Sequence, residues 1–254
     1  MRKPLSGSRN GASSAGGNGR AAMAGGKLVR MTLSERIYET LKERILDQRI
    51  QAGARLNIDA LSRELQVSSS PIREALVRLE AEKLIVSELY SGYSVAPQPT
   101  VEYFTDLLEC RIVIEGHCAK VGAERKDRAT VAMLKQAYEK MAQSPGIGKR
   151  YREYQRFVQA DGKFHQVLVD SACNQVFSNV YASLHALILQ SRLYFNTRSD
   201  EQRLQEVLRE HERIIEAFEA GDGAAAQAAV RDHLEGGRRR LLSGTAENAE
   251  GLKS

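Results

Sequence analysis

From residue 32 onward, apolar residues recur at helical spacing almost without interruption. Thr32-Leu-Ser-Glu35 has the spacing of a capping box, and Leu33, Ile37, Leu41 and Ile45 follow at four-residue intervals, which predicts a first helix. Gly53 interrupts the pattern, and Asn57 suits the N-cap of a short second helix, Ile58 to Leu65, that buries Leu61 and Leu65. Gln66-Val67-Ser68 is a tight connection into a third helix. There a run of hydroxyl residues supplies the N-cap, and Pro71 fits the first turn, where its missing N–H costs nothing. Ile72, Ala75, Leu76 and Leu79 fall at i, i+3, i+4 and i+7, one inward stripe. Ser68, Ser69, Ser70 and Arg73 are left near the exposed N-terminal turn, where a recognition helix holds its base-reading and phosphate-gripping groups. Leu84-Ile-Val86 and Tyr93-Ser-Val95 flank Tyr90-Ser91-Gly92, a two-stranded hairpin with glycine at its turn. Three helices followed by such a hairpin make a winged helix-turn-helix, with Gly92 and Tyr93 in the wing as further DNA-facing candidates.

The string Leu-Ser-x-x-Leu-x-Val-Ser-x-x-Pro-Ile-Arg-Glu-Ala-Leu-x-x-Leu-Glu, running into a glycine-containing wing, resembles the DNA-binding domain of GntR-type bacterial regulators over about residues 33–96. The resemblance implies binding to double-stranded operator DNA. Many members carry Arg, a residue that commonly helps read the operator, where this chain has Ser69, so the resemblance implies DNA binding but not an operator sequence.

Composition sharpens the division of the chain. The net charge of +5 resides entirely in residues 1–27, which hold Arg2, Lys3, Arg9, Arg20 and Lys27 and no acid; the remainder balances 32 basic against 32 acidic residues. That segment is rich in Gly, Ser, Ala and Asn, reads as a disordered basic tail, and has no apolar stretch of signal-peptide type. No stretch approaches the roughly 18 apolar residues of a membrane span, so no membrane partner is expected. Cys110, Cys118 and Cys173 are odd in number and lack metal-type spacing, and they read as reduced, mostly buried thiols of a cytoplasmic protein. The domains read as a tail over 1–27, a winged domain over 28–96, a linker at 97–99 through Pro97-Gln-Pro99, a helical domain over 100–242 and a flexible C-terminus over 243–254.

After the linker every segment has helical periodicity. Helices are placed near 100–123, 129–143, 149–170, 174–195, 200–219 and 222–242, an antiparallel all-α bundle. Its apolar stripes contain charged and imidazole groups. Tyr154, Val158, Asp161, His165 and Leu168 share one face; Leu204, Val207, Leu208, His211, Ile215 and Phe218 share another; Ala226, Ala229, Val230, His233, Gly237 and Leu241 form a third. Gly221-Asp222 reads as a C-cap glycine followed directly by an N-cap, so the last two helices form an antiparallel hairpin. His211 and His233 then sit at the same level, each about 15–17 Å from the turn. Any one of these residues alone reads as a hydrogen-bonded core group. Four inward polar groups in matched register are costly to bury without compensation. A divalent ion, with zinc in first place and nickel in second, compensates them and leaves coordination positions open.

The same region is similar to the effector-binding FCD bundle of the FadR subgroup of GntR regulators, over about residues 100–242. Metal-binding members of that group use an Asp-x-x-x-His pair and two later histidines, which implies Asp161, His165, His211 and His233 as ligands. His117 and His185 match no ligand position and read as structural, with His185 near the cavity. Phe104, Leu107, Leu108, Arg111 and Glu115 fall on one side of the first bundle helix, so Arg111 points inward, either paired with Glu115 at i+4 or gripping an effector carboxylate. Arg192 is a second candidate of that kind.

The chain therefore reads as a cytoplasmic homodimeric repressor that answers a small carboxylic acid through a bound metal. A metal-dependent hydrolase with an appended winged helix and a non-sensing architectural DNA-binding protein are the alternatives.

Overall fold

The computed structural model describes residues 31–88, 92–144, 150–194 and 201–251. The basic tail, wing-tip residues Tyr90 and Ser91, and the helix breaks expected at Pro145-Gly146 and Asn196–Ser199 lie outside the described residues.

Three helices open the winged domain: α1 (Leu33–Leu46), α2 (Ile58–Leu65) and α3 (Ser69–Ala81). The capping box forms as expected: Thr32 Oγ1 accepts from the Glu35 N–H, and Glu35 Oε2 accepts from the Thr32 N–H, each at 3.2 Å. Asn57 Oδ1 likewise accepts from the Ala60 N–H at 2.9 Å. Ser68 occupies the N-cap of α3, but its hydroxyl makes no capping bond. The turn between α2 and α3 is made by Gln66 in the left-handed region, φ 54°. Ile37, Leu41, Ile45, Leu61, Ile72, Ala75, Leu76 and Leu79 form the core, whereas Leu33 is exposed at the helix start and Leu65 is half-buried.

Among the described residues three strands, rather than the two of a simple hairpin, make the sheet. β2 (Ile85–Glu88) and β3 (Gly92–Val95) are the expected hairpin, and β1 (Arg55–Leu56) pairs antiparallel with β3 on its other side, giving the order β1-β3-β2. Two residues are too few to show alternation, so β1 carried no periodic signal. Gly92 has φ +80°, where a side chain is disfavoured.

The C-terminal part is the antiparallel bundle: α4 (Val101–Glu124), α5 (Arg128–Ala142), α6 (Tyr151–Asp170), α7 (Gln175–Tyr194), α8 (Glu201–Ala220) and α9 (Gly223–Gly251). The chief packings are α4 on α9, α5 on α6 and α8 on α9. Gly122 allows α4 to approach the end of α6, since a Cβ there would lie 1.8 Å from Ser171 Oγ. The α8–α9 hairpin is built as expected, with Gly221 at φ +67° and Asp222 Oδ1 accepting from the Ala225 N–H at 2.9 Å. Helix α9 continues to Gly251, past the end expected at 242, because nothing in Leu242–Gly251 removes a backbone donor as proline would. Of the cysteines only Cys118 is buried; Cys110 is exposed because it lies off the buried stripe of α4, and Cys173 is exposed in the loop between α6 and α7. Among the described residues no helix is long and apolar enough to cross a membrane.

Helix α6 reaches into the winged domain. Tyr151, its first residue, is buried with the winged-domain core, and its N–H donates to Asp47 Oδ1 at 2.8 Å. Arg152 pairs with Glu43 of α1 at 2.7 Å.

Candidate functional site

Asp161 and His165 lie one turn apart on α6, His211 on α8 and His233 on α9, and all four are buried. One ligand atom from each lies within 4.8 Å of the other three. The His211 and His233 rings are 4.4 Å apart, and His165 is 5.1 Å from His233 and 5.4 Å from His211. The level register expected from the Gly221-Asp222 turn is what brings the last two rings together.

Each imidazole is held by one nitrogen. The Nδ1–H of His165 donates to Glu115 Oε2 (2.6 Å), that of His211 to the Val207 carbonyl (2.8 Å) and that of His233 to Glu210 Oε2 (2.9 Å). A carbonyl can only accept, which fixes the proton of His211 on Nδ1; ionised carboxylates do the same for the other two. Burial pushes the His165 and His233 pKa values down, the latter to about 3 with His211 beside it, so both rings are neutral at pH 7. Burial pushes Glu115 and Glu210 up, but this is outweighed. Arg111 and His165 hold Glu115 at about 2, and His233 and Arg240 hold Glu210 at about 2.

The other nitrogens are left over. Among the described residues His165 Nε2 and His211 Nε2 are buried without a hydrogen-bond partner, although Asp161 Oδ1 lies 3.8 and 3.3 Å away. Neither contact is a hydrogen bond, and two lone pairs facing a carboxylate repel it. A cation between them removes the conflict. With bonds of about 2.0–2.2 Å, the donors of one tetrahedral ion lie about 3.3–3.6 Å apart, so the set closes on an ion by tightening up to about an ångström. Neutral imidazoles and a carboxylate are the donors that Zn²⁺ and Ni²⁺ accept.

Arg111 is buried on α4, and its Nε donates to Glu115 Oε1 at 2.6 Å. Its Nη2 has no hydrogen-bond partner among the described residues. Of the two expectations for Arg111, the pairing with Glu115 at i+4 is present. Arg192 and His185 both lie on α7, but their side chains are outside the described residues. His117 is exposed and packs its ring 5.4 Å from that of Phe177, away from the cluster.

On the winged domain, Ser68, Ser69, Ser70 and Arg73 are exposed at the start of α3, and Arg73 makes no ion pair among the described residues. Gly92 is exposed, while Tyr93 is half-buried against the core between Leu56 and Ser87.

Residues 33–95 match the family described as bacterial regulatory proteins, gntR family, and residues 106–236 match the FCD domain. The chain belongs to the GntR family of transcriptional regulators, in the group that carries an FCD domain. It is 28% identical over 197 residues to the HTH-type transcriptional regulator YdhC of Bacillus subtilis, covering 78% of this chain and 85% of that protein. LutR of the same organism, also an HTH-type transcriptional regulator, is 29% identical over 206 residues, covering 73% and 90%. A crystal structure of a GntR transcriptional regulator from Rhodococcus sp. RHA1 matches with TM-score 0.59 at 26% identity, over 83% of this chain and 97% of that one. This GntR–FCD protein is thus a DNA-binding regulator with a helical effector domain.

Sequence reasoning missed Glu210 and Arg240 and the role of Tyr151. Glu210 adjoins the candidate ligand His211 in sequence, and Arg240 follows His233 by seven residues on the same helical face, a signal that was readable. Tyr151 had none, because its partners lie in the other domain.

Proposed function

We propose that this GntR–FCD protein is a dimeric repressor whose helical domain senses a small organic acid through a divalent ion held by Asp161, His165, His211 and His233. The observation that carries this reading is the convergence of three histidines whose Nδ1 atoms are all occupied on a point where two Nε2 atoms lack partners. A bound ion supplies open coordination positions for ligand oxygens. Arg111 offers its free Nη2 to a carboxylate, and Arg192 is a second grip.

The winged domain reads operator DNA with Ser68, Ser69, Ser70, Arg73, Gly92 and Tyr93, and the exposed first turn of α3 enters the major groove. One such domain presents a small reading surface, so two copies contact two half-sites. Repression requires only occupancy of the operator, which the winged domain supplies. Helix α6 provides the route between the functions: it carries Asp161 and His165 and, about 15 Å away, buries Tyr151 in the winged core. A shift of α6 on ligand binding therefore moves the ground on which α1 and α3 rest.

Hydrolysis is disfavoured by the surroundings of the cluster. A metal hydrolase needs a free base beside its water, and Glu115 and Glu210 are each engaged by a histidine and an arginine.

Thermal-shift screening of the Zn²⁺-loaded protein against small organic acids tests the reading, since a ligand of the native state raises the melting temperature. At least one acid should stabilise the loaded protein and release it from operator DNA. An acid that stabilises chelator-treated protein equally would show that the metal plays no part.

A further inference from the structure

We infer that Glu210 is a positioning residue of this centre: it fixes which nitrogen of His233 faces the other ligands, and Gly236 is the gap that lets it do so. The inference rests on the metal reading above.

The two carboxylates around the cluster are built alike and placed differently. Each holds a histidine Nδ1–H with one oxygen, and each is held by an arginine. Glu115 is sealed in the core with its side chain fully buried. The side chain of Glu210 is 11% exposed and borders a cleft of about 520 Å³ along α8 and α9, with Arg209, Arg213, Gly236, Arg239 and Arg240 among its neighbours. Arg240 grips Glu210 through both terminal nitrogens, at 2.7 Å to Oε1 and 2.9 Å to Oε2. Oε2 thus receives both Arg240 and His233, and the carboxylate cannot rotate without breaking at least one bond.

Gly236 completes the arrangement. A Cβ at this position would lie 2.6 Å from Glu210 Oε1 and 3.1 Å from Arg240 Nη1. Both are ends of long side chains, so a methyl group there would displace the carboxylate rather than the helices. His233, Gly236 and Arg240 fall at i, i+3 and i+7 of α9, one face of the helix. One strip of α9 therefore carries a ligand, the space for its orienting partner and the clamp on that partner. Without Glu210 the ring of His233 is free to carry its proton on either nitrogen or to turn over, and a ring that presents N–H cannot ligate.

Glu210 suits a test better than Glu115, whose removal leaves Arg111 buried and unpaired. The full chain labelled with ¹⁵N-histidine is compared as wild type, Glu210→Ala, Glu210→Gln and Gly236→Ala, with circular dichroism and melting to establish that each is folded. Two quantities are read: the His233 tautomer in metal-free protein by long-range ¹H–¹⁵N correlation, and Zn²⁺ affinity by competition with a chromogenic chelator. Wild type should show the Nδ1–H tautomer. Glu210→Ala should mix or reverse it and weaken Zn²⁺ binding about 10- to 100-fold. Glu210→Gln keeps an acceptor oxygen and should recover most of the loss, and Gly236→Ala should fall between. If wild type takes up no Zn²⁺, the metal reading is wrong, while the tautomer comparison still decides the role of Glu210. If wild type binds Zn²⁺ and folded Glu210→Ala binds as tightly with His233 unchanged, the positioning role is wrong. A folded Glu210→Gln no better than Glu210→Ala would overturn the hydrogen-bond assignment itself.

Discussion

The winged domain and the centre of the bundle use helical periodicity in opposite ways. In α3 the inward stripe, Ile72, Ala75, Leu76 and Leu79, is wholly apolar and fully buried, and the candidate DNA-facing residues occupy the side the core does not need. In the bundle the inward stripes themselves hold the candidate chemistry. Asp161, His165, His211 and His233 stand where leucines would stabilise the fold, and Arg111, Glu115 and Glu210 are buried with them. Function on a spare face costs the fold almost nothing. Function in the core must be compensated, by pairing each buried group or by binding an ion.

The largest expected effect comes from removing that compensation. If an ion is bound at 1,000 times its dissociation constant, it stabilises the native state by about 4 kcal/mol. Chelation should therefore lower the melting transition of wild type and leave a His211→Ala/His233→Ala variant unmoved, as read by calorimetry. An equal response in both proteins would erase the contrast between the two regions.

On the spare face, Arg73→Ala should weaken operator binding by about 1–3 kcal/mol with circular dichroism and melting unchanged. Footprinting at fixed salt checks this; a loss of stability alongside would show that α3 does not keep recognition and core apart.

Tyr151 is where the two regions meet. Tyr151→Leu keeps apolar bulk at the seam, so both domains should remain folded with metal content intact. The effector-dependent change in operator affinity, on the order of 1–3 kcal/mol for such coupling, should shrink. Operator titrations with and without the acid measure it, and an unchanged ratio would mean that the signal does not pass through α6.

The smallest effect separates two N-caps. Asn57→Ala should cost about 1 kcal/mol, whereas Ser68→Ala, whose hydroxyl makes no capping bond, should cost less than about 0.5 kcal/mol. Urea denaturation distinguishes them, and equal losses would place the Ser68 hydroxyl on the helix rather than free toward DNA.

The same contrast explains what was legible in the residues. Capping boxes, four-residue spacing and the Gly221-Asp222 turn are local, so the helices, the hairpin and the level register of His211 and His233 could be read in advance. Strand β1 is two residues long and owes its existence to β3, a partner far along the chain. The extension of α9 past 242 shows the limit of stopping a helix where its apolar stripe fades. In the cluster the four candidate ligands were legible because each interrupts an apolar stripe. Their partners were less so: Glu210 and Arg240 left a signal in their spacing on the α8–α9 hairpin that went unread, and the bond of Glu115 to His165 joins two helices that no local pattern pairs.

The most direct test of the central claim is the zinc content of reconstituted, gel-filtered protein, measured by elemental analysis beside the operator response to a stabilising acid. Wild type should hold about one ion per chain and release operator DNA when the acid is added. The His211→Ala/His233→Ala variant should hold none, bind the operator and ignore the acid. A wild type without metal, or a metal-free variant that still responds, would contradict the account.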